Sequence, residues 1–317
     1  MARYGVIADD LTGACDAGVQ FAQHGLSALV WLSAAEPPAC DVLVLSTASR
    51  RDAPHIAQRK VRNALGTLAR AGAGLIFKKI DSTLRGNIAA EVVACGFEET
   101  WIAPAFPAMG RQLIGGRLFL KGIDTGVALE PQPGIRVFDA RTQDDLACIA
   151  REASADPKRP LLAGSAGLAI EVAKRLGRPE APLPPVTGRS GPAVIYIGST
   201  HPVTEAQTRY LRACRDVHDY RLVPVKTLEG RLAGPIARYQ GRSAAGLIMT
   251  GGDTAALVCR ALGVEGIRLI REALPGIAYG LIMGGRLNGT PVVTKAGGFG
   301  REDTLAVLVD ALRKGFR

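Results

Sequence analysis

The segment Lys-Lys-Ile-Asp-Ser-Thr-Leu-Arg-Gly-Asn, residues 78–87, follows the apolar run Gly-Leu-Ile-Phe, residues 74–77. The apolar run indicates a buried strand, and the segment after it contains three cations, a carboxylate, two hydroxyls and a glycine. In open α/β sheets, ligands bind at the carboxyl ends of the strands. We therefore predict that this segment lies at such an edge and binds an anionic, hydroxylated ligand. Its candidate binding residues are Lys79, Asp81, Ser82 and Arg85.

A second strand end carries paired carboxylates. The sequence Ile-Ala-Asp-Asp-Leu-Thr-Gly-Ala, residues 7–14, indicates a strand that runs directly into a helix, with Asp9 and Asp10 between them. A carboxylate there can orient a substrate hydroxyl or accept its proton, which makes Asp10 a candidate general base. The alternative is that Asp10 or Thr12 caps the helix. The two roles can coexist on neighbouring residues.

A third strand end carries hydroxyls and arginines in Ser-Thr-Ala-Ser-Arg-Arg, residues 46–51. A guanidinium suits bidentate recognition of a carboxylate, so Arg50 is a candidate ligand contact. An arginine after a strand can equally be a solvated loop residue. If the three strands are neighbours in one sheet, Arg50 and Asp10 lie beside the 78–87 segment. A stiff, proline-containing loop at 102–112 is expected to carry Arg111 outward, as a wall of the site or as a structural turn.

Short runs of Val, Ile and Leu alternate along the chain with Ala-rich amphipathic segments. This alternation is typical of parallel strands connected by helices. We expect an α/β protein of two domains, each with a mostly parallel sheet flanked by helices, and an active site in the inter-domain cleft. The first domain is expected at 1–180, a Pro- and Gly-rich linker at 181–192 and the second domain at 193–317.

The predicted elements are as follows. In the first domain, strands begin at residues 4, 28, 42, 75, 101 and 136, and helices begin at 12, 54, 87 and 143. In the second domain, strands begin at 193, 221, 246, 279 and 291, and helices begin at 204, 254 and 304.

Three glycine-containing loops follow predicted strands in the second domain, at 198–200, 251–254 and 295–300. Glycine loops offer backbone N–H groups to an anion, and a loop that enters a helix adds the helix dipole. Tight turns are the alternative interpretation of each loop. Together the three loops favour a nucleotide site, in which Asp253 reaches a magnesium ion or a ribose, or else caps the helix from Thr254. No other metal site is predicted.

Composition narrows the function classes. Lys and Arg number 39 against 29 Asp and Glu, a net charge of +10 that favours acidic partners. Dispersed cations and 5% aromatic residues argue against nucleic acid. Six cysteines show no metal-ligand spacing and indicate a reducing compartment. The amino terminus lacks an apolar secretion segment, and no apolar run has the roughly 20 residues of a membrane span, so a cytoplasmic protein is expected.

The order of these motifs resembles that of the four-carbon acid sugar kinase family. The resemblance rests on Ala-Asp-Asp-Leu-Thr-Gly-Ala, Ser-Arg, Lys-Ile-Asp-Ser-Thr-Leu-Arg-Gly, Ala-Pro-Ala-Phe-Pro, Gly-Gly-Asp-Thr and Lys-Ala-Gly-Gly-Phe-Gly, which span both halves. It implies an ATP-dependent kinase of threonate, erythronate or 3-oxo-tetronate type acids, with an amino-terminal sugar-acid domain and a carboxyl-terminal nucleotide domain. Substrate contacts are then implied at Asp10, Arg50 and 79–82. ATP contacts are implied at Ser199, Gly251, Gly252, Asp253, Thr254 and Gly297.

The second half departs from the family pattern in one respect. Only some fifty residues separate Thr200 from Gly251, whereas the family spaces these loops more widely. We therefore expect a shortened nucleotide domain. A kinase with Asp10 or Asp81 acting on the attacking hydroxyl, and Mg²⁺ screening the transferred phosphoryl group, is the leading hypothesis. The expected partners are a sugar acid and ATP, with a homodimer as one expectation for the assembly.

Two other functions are compatible with the motifs. A non-catalytic sensor would bind the sugar acid but would no longer use ATP, because of its shortened second domain. An aspartate-nucleophile phosphatase would use the Asp9-Asp10 pair, although Leu11 and Thr12 do not supply the D-x-D core that this chemistry expects.

Overall fold

The computed structural model describes residues 1–178, 183, 186–225 and 244–316. The chain divides into two compact units. The first unit comprises Met1–Ala28 and Pro37–Ala181, and the second comprises Leu29–Glu36 and Pro182–Arg317. The short segment 29–36 therefore belongs to the second unit although it lies early in the sequence.

The first unit contains strands and helices in alternation, with a small antiparallel meander between β5 and β9. Its strands are β1 (Tyr4–Ala8), β3 (Val42–Ser46), β4 (Leu75–Lys79), β5 (Thr100–Ala103), β6 (Arg111–Ile114), β7 (Arg117–Leu120), β8 (Ile123–Ala128), β9 (Ile135–Val137) and β10 (Leu161–Gly164). Its helices are α1 (Leu11–Gln23), α2 (Pro54–Arg70), α3 (Ile88–Ala94), α4 (Gln143–Ala155) and α5 (Ala166–Leu176).

The main sheet of the first unit has the order β3-β1-β4-β10-β5-β9, and every pairing in it is parallel. Strands buried on both faces are expected to be continuous apolar runs, and β1 and β3 fit this description. In the register, Ala8 at the end of β1 lies opposite Ser46 of β3 and Lys79 of β4. The prediction that these three strands are neighbours is therefore confirmed.

Helix α1 is buried over nearly its whole length, which explains its small residues, among them Gly13, Ala14, Ala17 and Gly18. A helix without a polar face can pack closely on a sheet only when its side chains are small. On the sheet itself, Gly5 has no room for a side chain, because a Cβ there would lie 2.6 Å from Leu68 of α2.

The 102–112 region differs from the stiff loop expected there. A short 3₁₀ turn at Pro107–Met109 leads into the antiparallel sheet β6-β7-β8. Gly115 and Gly116, both at positive φ, connect β6 to β7. Glycine pairs favour such two-residue hairpin turns because positive φ is free of steric cost there.

The second unit contains a mixed sheet flanked by helices. Its strands are β2 (Ala28–Trp31), β11 (Val186–Thr187), β12 (Ala193–Ile197), β13 (Tyr220–Pro224), β14 (Gly246–Thr250), β15 (Gly266–Leu274), β16 (Ile277–Met283), β17 (Pro291–Lys295) and β18 (Gly315–Phe316). Its helices, within the described residues, are α6 (Pro202–Cys214), α7 (Gly252–Ala261) and α8 (Thr304–Lys314).

The sheet order in the second unit is β13-β12-β14-β17-β16-β15-β2. The first four strands pair in parallel, whereas β16 pairs antiparallel with both β17 and β15. The parallel part brings the carboxyl ends of β12, β14 and β17 to one edge. That edge carries all three glycine loops.

Part of the predicted linker at 181–192 lies outside the described residues, as do residues 226–243, where the shortened stretch of the second half falls. Within the described residues, no helix combines the length and apolarity needed to cross a membrane. All six cysteines are free thiols, and Cys15, Cys95 and Cys259 are buried.

Candidate functional site

Arg50 is the centre of an ion-pair cluster at the carboxyl edge of the first sheet. Its Nε and Nη2 donate to the two carboxylate oxygens of Asp9, each at 2.7 Å. Its Nη1 donates to Asp10 Oδ2 at 2.5 Å, and Nη2 lies 3.8 Å from Asp81 Oδ1. The sequence predicts that Arg50 binds a ligand carboxylate. In the structure its guanidinium already binds the carboxylates of Asp9 and Asp10.

Asp10 has the capping role and keeps the features of a functional carboxylate. Its Oδ1 accepts the Gly13 N–H at 2.7 Å and caps α1, while Thr12 Oγ1 donates to Oδ2 at 3.3 Å. Burial raises the pKa of Asp10 above its ordinary value, and the charge of Arg50 offsets only part of this rise. The raised pKa favours exchange of a proton with a substrate.

Asp9 titrates in the opposite direction from its neighbour. Burial disfavours its charged form, but the hydrogen bonds and the charge of Arg50, together with two nearby lysines, outweigh burial and lower the pKa of Asp9. The two adjacent carboxylates are thus held in different environments. Asp9 remains an anion that anchors Arg50, whereas Asp10 is the more basic of the pair.

Asp81 is tightly bound within its own loop. Arg85 donates to it from Nε at 2.7 Å and from Nη2 at 2.9 Å, and Thr83 Oγ1 donates at 2.5 Å. Burial acts against the charged form of Asp81, but these hydrogen bonds and the charge of Arg50 lower its pKa. Asp81 is therefore a weak proton acceptor.

Ser82 and Arg111 meet beside this loop. Arg111 Nη1 donates to Ser82 Oγ, and burial lowers the pKa of Arg111. The expectation that the 102–112 loop carries Arg111 outward is therefore wrong. As the first residue of β6, Arg111 turns inward to the site.

Lys79 lies in the same cluster. Its side chain is buried, and its Nζ donates to Ile80 O at 2.9 Å. Among the described residues, no carboxylate lies within 4.0 Å of this Nζ. Gly13 explains the close packing of Nζ on the start of α1, because a Cβ on Gly13 would lie 2.6 Å from Asp10 Oδ1 and 3.4 Å from Lys79 Nζ.

A buried polar network lies behind the cluster. Glu91 of α3 pairs with Lys78 Nζ at 2.7 Å and accepts the Ser49 hydroxyl at 2.6 Å. Ser49 precedes Arg50, so this network fixes the loop that presents the guanidinium. Glu91 was not among the predicted site residues. A charged residue on the apolar face of a short predicted helix was the available signal, since Glu is seldom buried unless it is paired.

In the second unit, the three glycine loops meet at one edge. A Cβ on Gly251 would lie 3.6 Å from Ser199 Cβ, and a Cβ on Gly297 would clash with the Ser199 side chain. Gly251 has φ of 93°, a conformation that favours glycine. Ser199, Gly251 and Gly297 therefore come together at this edge. The Gly251 N–H donates to Lys295 O at 2.8 Å, so Gly251 contributes its backbone conformation rather than a donor for a ligand.

Helix α7 begins at Gly252, two residues earlier than predicted. Gly251 is its N-cap, so the prediction that Asp253 caps this helix is wrong. Instead Gly252, Asp253 and Thr254 form the first turn, and Asp253 is exposed. The positive end of the helix dipole at this first turn suits a phosphate.

A magnesium ion at this edge would have few protein ligands. Among the described residues, no group of three or more His, Cys, Asp or Glu side chains is placed to hold a metal ion. Mg²⁺ commonly takes one or two carboxylates, with phosphate oxygens and water as its other ligands. An exposed carboxylate in the first turn of a helix, as at Asp253, is compatible with that requirement.

Two family models match the chain. A sugar-binding N-terminal domain matches residues 4–133, and a nucleotide-binding C-terminal domain matches residues 221–305. The first range contains the carboxylate cluster, and the second contains two of the three glycine loops.

Curated relatives match along nearly the whole chain. A D-threonate kinase of Bordetella bronchiseptica is 30% identical over 98% of this chain and 97% of its own. A D-erythronate kinase of Heliobacterium modesticaldum is 26% identical over 98% of this chain and 97% of its own. A 3-oxo-tetronate kinase of Escherichia coli is 28% identical over 72% of this chain and 75% of its own.

The alignment with the Bordetella kinase runs over 402 positions, more than the 317 residues of this chain, so that relative has segments without a counterpart here. A solved structure from Salmonella typhimurium has the same fold. It is 18% identical, covers 96% of this chain and 98% of its own, and has a TM-score of 0.75.

Proposed function

The chain belongs to the four-carbon acid sugar kinase family, and from this premise we propose that it transfers the γ-phosphoryl group of ATP to a hydroxyl of a four-carbon sugar acid. Threonate, erythronate and 3-oxo-tetronate are the acids in the names of its relatives. The first unit supplies the acid-binding residues, and the second supplies the nucleotide-binding residues.

The environment of Lys79 is the main support for an acidic substrate. Its ammonium group is buried and donates to one carbonyl, and no carboxylate among the described residues lies within 4.0 Å of it. The carboxylates of Asp9 and Asp10 act on this charge without pairing with it, so a ligand carboxylate in direct contact would lower the cost of burying the cation. Arg50 and Arg85 already pair with carboxylates of the chain, so we assign the carboxylate of the sugar acid to Lys79, with Arg111 and Ser82 beside it.

Asp10 is the proposed general base. Its pKa is raised, and Oδ1 uses one of its two lone pairs for the Gly13 N–H. The remaining lone pair can take the proton of the attacking hydroxyl as the bond to phosphorus forms. Asp81, whose pKa is lowered, keeps its charge and serves to orient hydroxyls of the substrate together with Ser82.

The nucleotide is assigned to Ser199, Gly251–Thr254 and Gly297. Backbone N–H groups of the first turn of α7 hold phosphate oxygens, and the glycines allow their close approach. Mg²⁺, bound with the nucleotide and to Asp253, would neutralise charge on the phosphate oxygens. Phosphoryl transfer depends mainly on such positioning and charge stabilisation.

Release of ADP in the presence of each acid tests this function. We expect ADP release that depends on threonate, erythronate or 3-oxo-tetronate and that follows saturation kinetics. Binding of an acid and of ATP, each measured by calorimetry, with no ADP release in any mixture would overturn it. ATP binding distinguishes the kinase from the sensor, which binds only the acid. The kinase names of the curated relatives do not favour the sensor.

The cytoplasmic location and the homodimer expected from the sequence remain predictions. Sedimentation of the purified protein over a range of concentrations tests the second of them.

A further inference from the structure

Lys295 is a buried cation of the second unit that the proposed chemistry does not use. It ends β17, and its side chain has no exposed surface. Its Nζ donates to Ala296 O at 3.0 Å, Gly297 O at 3.2 Å and Phe299 O at 3.1 Å. An ammonium group has three N–H donors, so the loop that follows Lys295 takes all of them.

The orientation of these carbonyls determines where the amides of the loop point. In a trans peptide unit, the C=O and the following N–H point in opposite directions. Because the carbonyls of Ala296, Gly297 and Phe299 turn toward Nζ, the N–H groups of Gly297, Gly298 and Gly300 turn away from it. Among the described residues, these three N–H groups have no hydrogen-bond partner. Gly297 and Gly298 are partly exposed and Gly300 is exposed.

Helix α6 donates to two of the same carbonyls. Thr204 Oγ1 donates to Gly297 O at 2.7 Å, and Gln207 Nε2 donates to Phe299 O at 2.9 Å. Side chains are excluded at the two central glycines, since a Cβ on Gly298 would lie 3.0 Å from the His201 ring and one on Gly297 would clash with Ser199. The loop is therefore fixed with its carbonyls inward and its amides outward, which is the arrangement of an anion-binding nest.

We propose that Lys295 is a positioning residue of the nucleotide site, which turns the amides of Gly297, Gly298 and Gly300 toward phosphate oxygens of the nucleotide without touching the nucleotide itself. This inference rests on the proposed kinase function. It adds two amide donors, those of Gly298 and Gly300, and assigns the lysine a task other than direct phosphate binding.

The charge state of Lys295 gives the proposal a second observable. Burial lowers the pKa of Lys295 to about 7. The neutral amine has two N–H donors, so deprotonation releases one of the three carbonyls. Its register partners Thr250 and Ile277 do not titrate, and neither do Thr204 and Gln207 of α6. Titratable groups close to the loop include His201, which packs on Gly297 and Gly298, and the Arg301–Asp303 pair that follows it in sequence. Burial is the cause of the Lys295 shift.

The test measures ATP and sugar-acid affinities separately in the full chain. We expect Lys295→Met to weaken ATP binding by calorimetry, and to raise KM for ATP, by about 10-fold or more, because each lost hydrogen bond contributes about 1 kcal/mol. The KM for the sugar acid should stay within about twofold. In the wild type, KM for ATP should rise above pH 7, and in Lys295→Arg, which stays charged, this rise should be absent.

Thr204→Val is the second variant, for use if Lys295→Met does not fold. It removes one donor to Gly297 O and should weaken ATP binding by about threefold to fivefold. Equal ATP affinity of the wild type and Lys295→Met overturns the positioning role and leaves the kinase function standing. Absence of ATP binding by the wild type overturns both.

Discussion

Two buried lysines at strand ends, Lys78 in the first unit and Lys295 in the second, stabilise their charges by different means. Lys78 pairs with the Glu91 carboxylate at 2.7 Å, within a network that reaches Ser49. Lys295 has three backbone carbonyls and, among the described residues, no ion pair. The first unit thus builds its candidate site from charged side chains, and the second builds its site from oriented peptide groups.

This difference follows from what each site has to recognise. A small hydroxy acid needs a specific counter-charge and a proton acceptor, which are the roles proposed for Lys79 and Asp10. A polyphosphate presents many equivalent oxygens, for which several amide donors are sufficient. Mutations of side chains should therefore act strongly in the first unit. In the second unit, they should act through the shape of the loops.

The largest expected effect is at Asp10. Asn is as good a helix cap as Asp, so Asp10→Asn keeps the cap on α1 but removes the base. We expect kcat to fall by about 10²- to 10⁴-fold. Thermal unfolding should also shift to a lower temperature, because Arg50 loses its charged partner at Oδ2, so kcat is measured below the unfolding transition of the variant. Full turnover of Asp10→Asn with every tetronate would exclude Asp10 as the base.

The pH profile of the wild type checks the same role. Asp10 must be charged to accept a proton, and burial raises its pKa. The ordinary pKa of an aspartate is about 4. The acidic limb of the kcat/KM profile should therefore lie at a pH above this value. Activity should be lost as the pH falls through that limb. A limb at or below 4 would contradict the assignment.

The next effect is on stability, at the buried pair. Glu91→Met leaves Lys78 as a buried, unpaired cation, which should lower the free energy of unfolding by about 3–5 kcal/mol in urea titrations. The double variant with Lys78→Met should recover most of this loss. Lys295→Met removes a cation without leaving a partner charge, so it should cost less. If Glu91→Met lowers the free energy of unfolding less than Lys295→Met does, the two lysines do not differ in the way described above.

A smaller effect is expected at Lys79, on substrate affinity. Charged hydrogen bonds contribute about 1.5–3 kcal/mol, so Lys79→Met should raise KM for the sugar acid by about 10- to 100-fold. The affinity for ATP, measured by calorimetry, should not change. The opposite pattern, with ATP affinity lost and acid affinity kept, would refute the assignment of the substrate carboxylate.

The smallest effect is expected at Arg85. Its side chain is 63% exposed and already pairs with Asp81, so Arg85→Met should change KM for the acid by less than about fivefold. It is the matched control for Lys79→Met, since both variants remove one cation from the same segment. A larger effect at Arg85 than at Lys79 would mean that the exposed guanidinium, not the buried ammonium, binds the acid.

Strands with apolar runs could be predicted from the sequence, whereas irregular or charged strands could not. β1, β3 and β12 begin at the residues that their apolar runs predict. β15 was missed because Arg268, Arg271 and Glu272 interrupt its apolar pattern, and its pairing with β16 contains register shifts. The meander β6-β7-β8 was missed although Gly115-Gly116 is a hairpin signal.

The candidate site, like the strands, could be predicted only in part from the sequence. Residues that follow strands, such as Asp9, Asp10 and Lys79, share one sheet edge because parallel strands bring their carboxyl ends together. Glu91 and the inward turn of Arg111 could not be predicted, because their partners lie far away in the sequence and no local pattern encodes such a pairing.

By itself, the sequence determined the alternation of strands and helices, the polar strand ends and the glycine loops, because apolar periodicity and backbone freedom are local properties of the chain. Only the tertiary structure decided that Arg50 serves Asp9 and Asp10, that Lys79 is buried without a carboxylate partner within the described residues, and that Lys295 orders its own loop. Burial and ion pairing depend on which distant residues meet, and folding alone brings these residues together.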